Sequence, residues 1–321
     1  MAAKGRAPRS VLVPLDGSPF AERALPLAVA LARRSGGSMR LALVHQVPPP
    51  PATGEAVRVY TRIERAVRQA ELEYLRRLAT EASRDVGRPV RSVILDGAVA
   101  AGLQEYAHDS GADLVVMTTH GRGPVQRAWL GSVADRLVRT LDIPVLLVPA
   151  PGPADGSGGG PVAREPSLGR VLVPLDGSPR AEAVLETASA VARLFDAELH
   201  LVQVVPPVAL AVGPMMAASG ELDLELTGIR KATAQDYLDD VADRLRTQGV
   251  RATATAVLGG AVAATLLDLA RSGETDLMAI ATHGRGGVPR LVLGSVADKL
   301  VRAAETPVLV VRPRGRGGRS G

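Results

Sequence analysis

The segment VLVPLDGSP stands at residues 11–19 and again, letter for letter, at 171–179. THGRG recurs at 119–123 and 282–286, and LGSVAD at 130–135 and 293–298. Pro144 and Pro307 recur before the last apolar run of each copy. The copies stand 160 positions apart at the first motif (11 to 171) and 163 at the later ones (130 to 293). A period this long is duplication of a whole domain, not of a short solenoid repeat. Between the copies lies APGPADGSGGGPVAREPSL, whose Gly, Pro and Ser content reads as a flexible linker. The expected layout is a first domain over 1–149, a linker over 150–168, a second domain over 169–313 and a basic tail over 314–321.

At 321 residues the chain is long enough for each copy to bury its own core. Apolar residues make up 46% but aromatic ones only 2%, so Val, Leu, Ile and Ala must fill the interior. That aliphatic bias suits parallel strands covered on both faces. The absence of cysteine excludes disulfides and thiolate metal sites. The opening MAAKGRAPRS lacks the apolar stretch of a secretory signal, and no apolar run approaches the ~20 residues that span a bilayer. A cytoplasmic protein without a membrane partner is expected. Part of the net charge of +5 sits in RPRGRGGRSG, which has no aromatic side chain to stack on bases. It reads as a solvated terminus, and a nucleic-acid partner is not expected.

Within copy one, strand-like runs at 11–15, 41–47, 91–95, 113–119 and 144–149 alternate with helical patterns. The first helix starts at Ser18-Pro19, with Ser as N-cap and Pro at the first helical position. A long amphipathic helix is predicted over 55–86, with Val59, Ile63, Val67, Leu72, Leu75 and Leu78 on its apolar face. Further helices are placed at 98–110 and from Ser132. Copy two repeats the order through 170–175, 178–195, 198–205, 222–248, 251–258, 261–272, 276–282, 295–305 and 307–312. Such alternation gives an α/β fold of two doubly wound domains, each a parallel sheet of five strands with helices on both faces. Ligands in open sheets of this kind sit beyond the carboxyl ends of strands, where the strand order reverses. The matched motifs fall after strands one and four.

The loops THGRGPVQRAWLGSVAD and THGRGGVPRLVLGSVAD carry the chemistry. Gly121 and Gly284 leave a strand where a missing Cβ lets backbone amides approach a ligand. Gly131 and Gly294 do the same just before a helix. Ser132 and Ser295 read as N-caps, with Asp135 and Asp298 as capping-box partners. An open helix N-terminus is an anion seat, and Arg122, Arg127, Arg285 and Arg290 add positive charge nearby. The same glycines also serve as plain turn and packing residues. Asp16 and Asp176 in PLDGS fit either an Asx turn feeding the helix or a contact to ribose hydroxyls or an adenine amine. His120 and His283 have no partnered nucleophile and read as loop-orienting; His45 and His200 read as structural. No GxxxxGK[ST] loop, no GxGxxG after the first strand and no GxSxG elbow is present. No catalytic residue and no metal ligand is assigned.

VPLDGSP, THGRG, LGSVAD and the closing IPVLLVP and TPVLVVRP resemble the universal stress protein domain, and the two copies cover nearly the whole chain. The resemblance implies the strand order 3-2-1-4-5 and pairing of the two copies through their last strands, 144–149 with 307–312. It also implies a site for ATP, with Mg²⁺, on a pattern of Gly, two residues, Gly, nine residues, Gly and then Ser or Thr. Gly121, Gly131 and Ser132 match it, as do Gly284, Gly294 and Ser295; Thr118 and Ala281 replace the first glycine. By the same resemblance Asp16 and Asp176 contact adenosine, and Gln46 and Val204 meet adenine through their backbone. Val133 and Val296 offer phosphate-facing amides, and Met117 and Ile280 line the adenine side. Arg122 and Arg285 follow the second glycine. The implied function is regulatory adenine-nucleotide binding in a stress response. Slow ATP hydrolysis or phosphotransfer, and a nucleotide-free interaction module using 204–218, are the alternatives; a homo-oligomer is compatible with either.

Overall fold

The computed structural model describes residues 7–46, 49, 55–119, 130–149, 166–207, 220–272, 274–282 and 293–313. The apolar run at the start of copy one forms β1 (Ser10–Leu15), buried on both faces. Its Leu15 leads into Asp16-Gly17-Ser18, where Gly17 adopts a φ of 81° that a Cβ would oppose. Ser18 Oγ then accepts from the Ala21 amide at 3.2 Å, and Pro19 takes the first position of α1 (Pro19–Glu22). α2 (Leu25–Ser35), β2 (Ser38–His45), α3 (Glu55–Val86), β3 (Arg91–Asp96), α4 (Val99–Asp109), β4 (Leu114–Thr118), α5 (Ser132–Thr140) and β5 (Val145–Val148) follow.

Copy two repeats this as β6 (Arg170–Pro174), α6 (Pro179–Glu182), α7 (Val184–Phe195), β7 (Glu198–Val205) and α8 (Gly220–Thr247). It closes with β8 (Ala252–Leu258), α9 (Val262–Arg271), β9 (Leu277–Ala281), α10 (Ser295–Ala303) and β10 (Val308–Val311). Leu168, placed with the linker from the sequence, is buried in the core.

Strands of the first half are parallel in the order β3-β2-β1-β4-β5, the doubly wound order the motifs imply. The second half runs β10-β9-β6-β7-β8, the same order reversed. β5 and β10 pair antiparallel, Val145 opposite Val310 and Leu147 opposite Val308, so one ten-stranded sheet passes through both copies. An antiparallel join between two like halves places a pseudo-two-fold axis through the sheet at that seam.

Such an axis keeps equivalent helices on the same face. α2, α3, α7 and α8 cover one face over Leu31, Leu75, Leu78, Val191 and Leu238. α4, α5, α9 and α10 cover the other over Leu103, Leu137, Leu266 and Leu300. Both cores run unbroken across the seam. On the first face α2 meets α7, where the Arg34 guanidinium lies 4.7 Å from the Phe195 ring centroid and donates to the Leu194 carbonyl at 3.1 Å.

α3 has the predicted bounds, but its apolar face divides. Leu75 and Leu78 are buried, whereas Val59 and Ile63 are 41% and 55% exposed. Length explains this: a helix of 32 residues runs about 48 Å, while β2, with 8 residues, runs only about 27 Å. The N-terminal turns of α3 therefore pass beyond the edge of the sheet. Among the described residues no helix is long and apolar enough to cross a membrane.

Because the cores are continuous, damage at the seam must reach both halves. Leu309, fully buried on β10, tests this. Leu309→Ala is expected to cost about 2–5 kcal/mol in urea unfolding. Hydrogen exchange should show β1 and β6 losing protection together.

Candidate functional site

β1 and β4 are neighbours, with Val11 opposite Leu114 and Leu12 opposite Val115. Continuing that register sets the ends of the two strands, and hence Asp16 and Thr119, side by side at the carboxyl edge. The Gly131 amide donates to the Thr119 carbonyl at 2.8 Å, and the Thr119 amide donates to the Val148 carbonyl at 3.0 Å. The start of α5 is thereby pinned to the end of β4. Copy two repeats both bonds, Gly294 to Thr282 at 2.9 Å and Thr282 to Val311 at 3.0 Å. Buried Leu130 and Leu293 anchor the chain just before each glycine.

The caps differ from the sequence expectation. Gly131 and Gly294 are themselves the N-caps, with ψ of 146° and 149°, and Ser132 and Ser295 occupy the first helical positions. Glycine at each N-cap supplies no side-chain oxygen to the amides of its first turn. The capping box does not form, because Asp135 and Asp298 turn to arginines instead. Arg139 Nε and Nη2 each donate to Asp135 at 2.9 Å, and Arg139 Nη2 reaches Asp298 at 3.3 Å. Arg302 repeats this, with Nε to Asp298 at 2.9 Å and Nη2 to Asp135 at 3.3 Å. The four groups close a ring across the pseudo-two-fold axis, and the carboxylates hold both guanidiniums above their ordinary range. Arg312, just past β10, adds a bond to the Arg139 carbonyl at 2.9 Å. The ring joins the two candidate ligand-bearing helices. Its signal in the sequence is the spacing of Asp135 to Arg139, repeated by Asp298 and Arg302.

Ser132 and Ser295 are exposed at these helix starts, and Val133 and Val296 are half-buried beside them. Glycine N-caps without a capping side chain leave first-turn amides for an anion, which suits a phosphate. Thr118 is buried at the end of β4, and Ala281 is half-buried at the end of β9. Met117 and Ile280 are 6% and 3% exposed, enclosed in the core under α4, α5, α9 and α10. Gly121, Arg122, Gly284 and Arg285 lie outside the described residues, as do His120, Arg127, His283, Arg290 and most of 204–218.

Asp16 forms an Asx turn: its Oδ1 accepts from the Ser18 amide at 2.9 Å and from Ser18 Oγ at 2.6 Å. Asp176 likewise accepts from the Ser178 amide at 2.9 Å. Facing this turn on the long helices are Tyr74 and Tyr237, which lie outside the repeated motifs. Tyr237 donates to Glu182 at 3.1 Å. Burial first, then Glu22 or Glu182, raises each phenol above its ordinary range, with Asp16 and Asp176 adding to the effect. Their recurrence at equivalent helix positions, in a chain with only four tyrosines, was the available signal.

Gln46 follows the last residue of β2. There His45 is buried, its Nδ1 2.6 Å from Glu71 and its Nε2 3.6 Å from Glu64, tying α3 to the strand end. Beside it Arg68 pairs with Asp96 at 2.7 Å and holds that carboxyl below its ordinary range. The pairing of Gln46 with Val204 is corrected by strand register. Val13 faces Leu41 and Val173 faces Leu201, so Val204 corresponds to Val44, inside the strand. The true counterpart of Gln46 is Pro206, which has no amide hydrogen. Among the described residues no group of three or more His, Asp or Glu is arranged to hold a metal.

A model of the universal stress protein family matches residues 8–149 and again 168–312. The chain belongs to the universal stress protein family. A universal stress protein of Mycobacterium tuberculosis strain H37Rv is 30% identical over 321 residues, covering 92% of either chain. One from Methanocaldococcus jannaschii is 34% identical over 146 residues, 44% of this chain and 83% of its own. The fold is also that of a solved universal stress protein from Archaeoglobus fulgidus (TM-score 0.64, 16% identity, 97% of this chain and 98% of that one). A putative universal stress protein from Pseudomonas aeruginosa UCBPP-PA14 gives a TM-score of 0.62 at 18% identity, covering 96% and 94%.

The ring predicts measurable coupling between the halves. In a double-mutant cycle on Arg139→Ala and Asp298→Ala, urea unfolding should give about 0.5–1 kcal/mol of interaction. High salt should shrink it.

Proposed function

We propose that each half binds an adenine nucleotide, ATP with Mg²⁺, and that occupancy serves regulation in a cytoplasmic stress response. The observation carrying this reading is the pair of glycine-capped helix starts, pinned to the ends of β4 and β9, where the cap residue brings no side chain of its own over the first-turn amides. Amides at Ser132, Val133 and their counterparts Ser295 and Val296 would hold phosphate oxygens at the positive end of each helix dipole. Arg122 and Arg285, in the loops leading there, would add charge. Asp16 and Asp176, each accepting from its own Asx turn, would meet ribose or adenine and not phosphate, which they would repel. Mg²⁺ would take its ligands mainly from the phosphates, since the described residues offer no acidic cluster for it.

The halves are not equal in this reading. Gln46 offers a backbone amide beyond β2, and the His45–Glu71 contact fixes its position; Pro206 offers none. Adenine is therefore held more tightly in the first half.

Ser132→Pro and Ser295→Pro test the phosphate seat without unwinding the helix. Proline is accepted at the first helical position, and the extended Gly131 and Gly294 suit a following proline. Each substitution deletes one amide hydrogen. By calorimetry, ATP affinity in the altered half should fall about 10–100-fold, the worth of a hydrogen bond to a charged group. Ser132→Ala, which keeps the amide, should lose less. ATP affinity weaker than millimolar in the unaltered chain would sink the proposal.

A further inference from the structure

β2 ends on a polar cluster packed under α3. The alternation of the strand puts His45 on the same face as Leu41 and Leu43, and its side chain is 5% exposed. Its Nδ1 lies 2.6 Å from Glu71, while its Nε2 is buried without a hydrogen-bond partner. Such a nitrogen carries a desolvation cost that calls for an explanation. Nε2 stands 3.6 Å from Glu64 Oε1. That is too long for a hydrogen bond. It is close to the ~3.4 Å between two ligands of one tetrahedral Zn²⁺, given bonds of about 2.0–2.2 Å.

Glu71 fits the same pattern from the far side of the ring. A metal-bound histidine gives its other ring N–H to a carboxylate, which fixes the tautomer and aims the free nitrogen. Nδ1 to Glu71 is that contact here, and it leaves Nε2 as the binding atom. Around the pair, Asp96 stands opposite His45 in strand register and bonds to Arg68 of α3 at 2.7 Å. Three carboxylates against one guanidinium leave two negative charges around a neutral ring, which a divalent cation balances.

The fold does not require this cluster. In copy two Val205 stands in place of His45, Thr227 of Glu64, Ala234 of Glu71 and Leu258 of Asp96. Val205 and Ala234 are both buried, so apolar packing closes the equivalent strand end. Buried ionisable groups carry a desolvation cost in the first half that the second half avoids. Coordination of a cation offsets it.

We propose that His45 Nε2 and Glu64 form a seat for a divalent transition-metal ion of the Zn²⁺ class, with Glu71 as the positioning carboxylate. An imidazole nitrogen beside a carboxylate suits Zn²⁺, whereas Mg²⁺ keeps to oxygen ligands. Two protein ligands agree with the absence, among the described residues, of any cluster of three. Water completes the shell from the side of Glu64, whose side chain is 28% exposed. The bound ion ties α3 to the end of β2. This inference is independent of nucleotide binding.

The test is a Zn²⁺ titration of the metal-free full chain, followed by calorimetry and by long-range ¹⁵N NMR of the imidazole rings. The second readout separates His45 from the other histidines of the chain. Zn²⁺ should shift His45 Nε2 while Nδ1 keeps its proton, and Mg²⁺ should leave the ring unmoved. Glu64→Gln, at a partly exposed position, should abolish the His45 response in a folded chain. Glu71→Gln should weaken Zn²⁺ at this seat about 10–100-fold. His45→Val, which installs the residue of copy two, should bind one Zn²⁺ fewer. A His45 ring unmoved by Zn²⁺ or moved equally by Mg²⁺ would overturn the proposal. So would Zn²⁺ binding that Glu64→Gln, Glu71→Gln or His45→Val leaves unchanged.

Discussion

The antiparallel pairing of β5 with β10 is the constraint on which the rest of the structure depends. A parallel sheet of five strands leaves its last strand as an open edge, with unpaired amides and carbonyls that invite association. Two copies in one chain close that edge against each other. Val145, Leu146 and Leu147 on one side and Val308, Leu309 and Val310 on the other are then buried by both helical layers. Each fully buried Leu or Val side chain contributes about 1.5–3 kcal/mol, so the seam is core and not a contact between separate domains.

The seam also decides where the candidate sites can be. Because it is antiparallel, the carboxyl ends of the two sets of parallel strands face opposite edges, and the two glycine-capped helices open in opposite directions. The helices themselves lie side by side, and the ring of Asp135, Arg139, Asp298 and Arg302 bridges their first and last turns. An anion at the start of α5 would sit close in sequence to Asp135, which holds Arg302 of the other half. The two halves therefore meet through residues one turn from their own helix starts.

The duplicated motifs made the fold legible before any coordinates. Exact repeats located equivalent strands, and the bounds of α3 followed from its apolar period alone. What the sequence hid was length relative to the sheet. Periodicity placed Val59 and Ile63 on the buried face without showing that the strands beneath end first. Ser132 and Asp135 satisfied the spacing of a capping box, yet Asp135 pairs with Arg139 four residues on in its own helix and with Arg302 across the seam. The first contact was legible in the spacing of Asp135 to Arg139; the second is tertiary and leaves no local mark. Val204 stood as the counterpart of Gln46, but strand register, which becomes visible only in pairing, puts Pro206 there. Asp16 was legible in both of its senses, and the Asx turn is the one its hydrogen bonds display.

A family fold with two matched helix starts carries the central claim, that this chain is one body presenting two nucleotide seats. Native mass spectrometry of the intact protein titrated with ATP and Mg²⁺ counts them directly. The account predicts species with one and then two nucleotides per chain, the first half filling before the second. A chain that takes up no nucleotide, or binds as many when both Ser132 and Ser295 are replaced by proline, would contradict it.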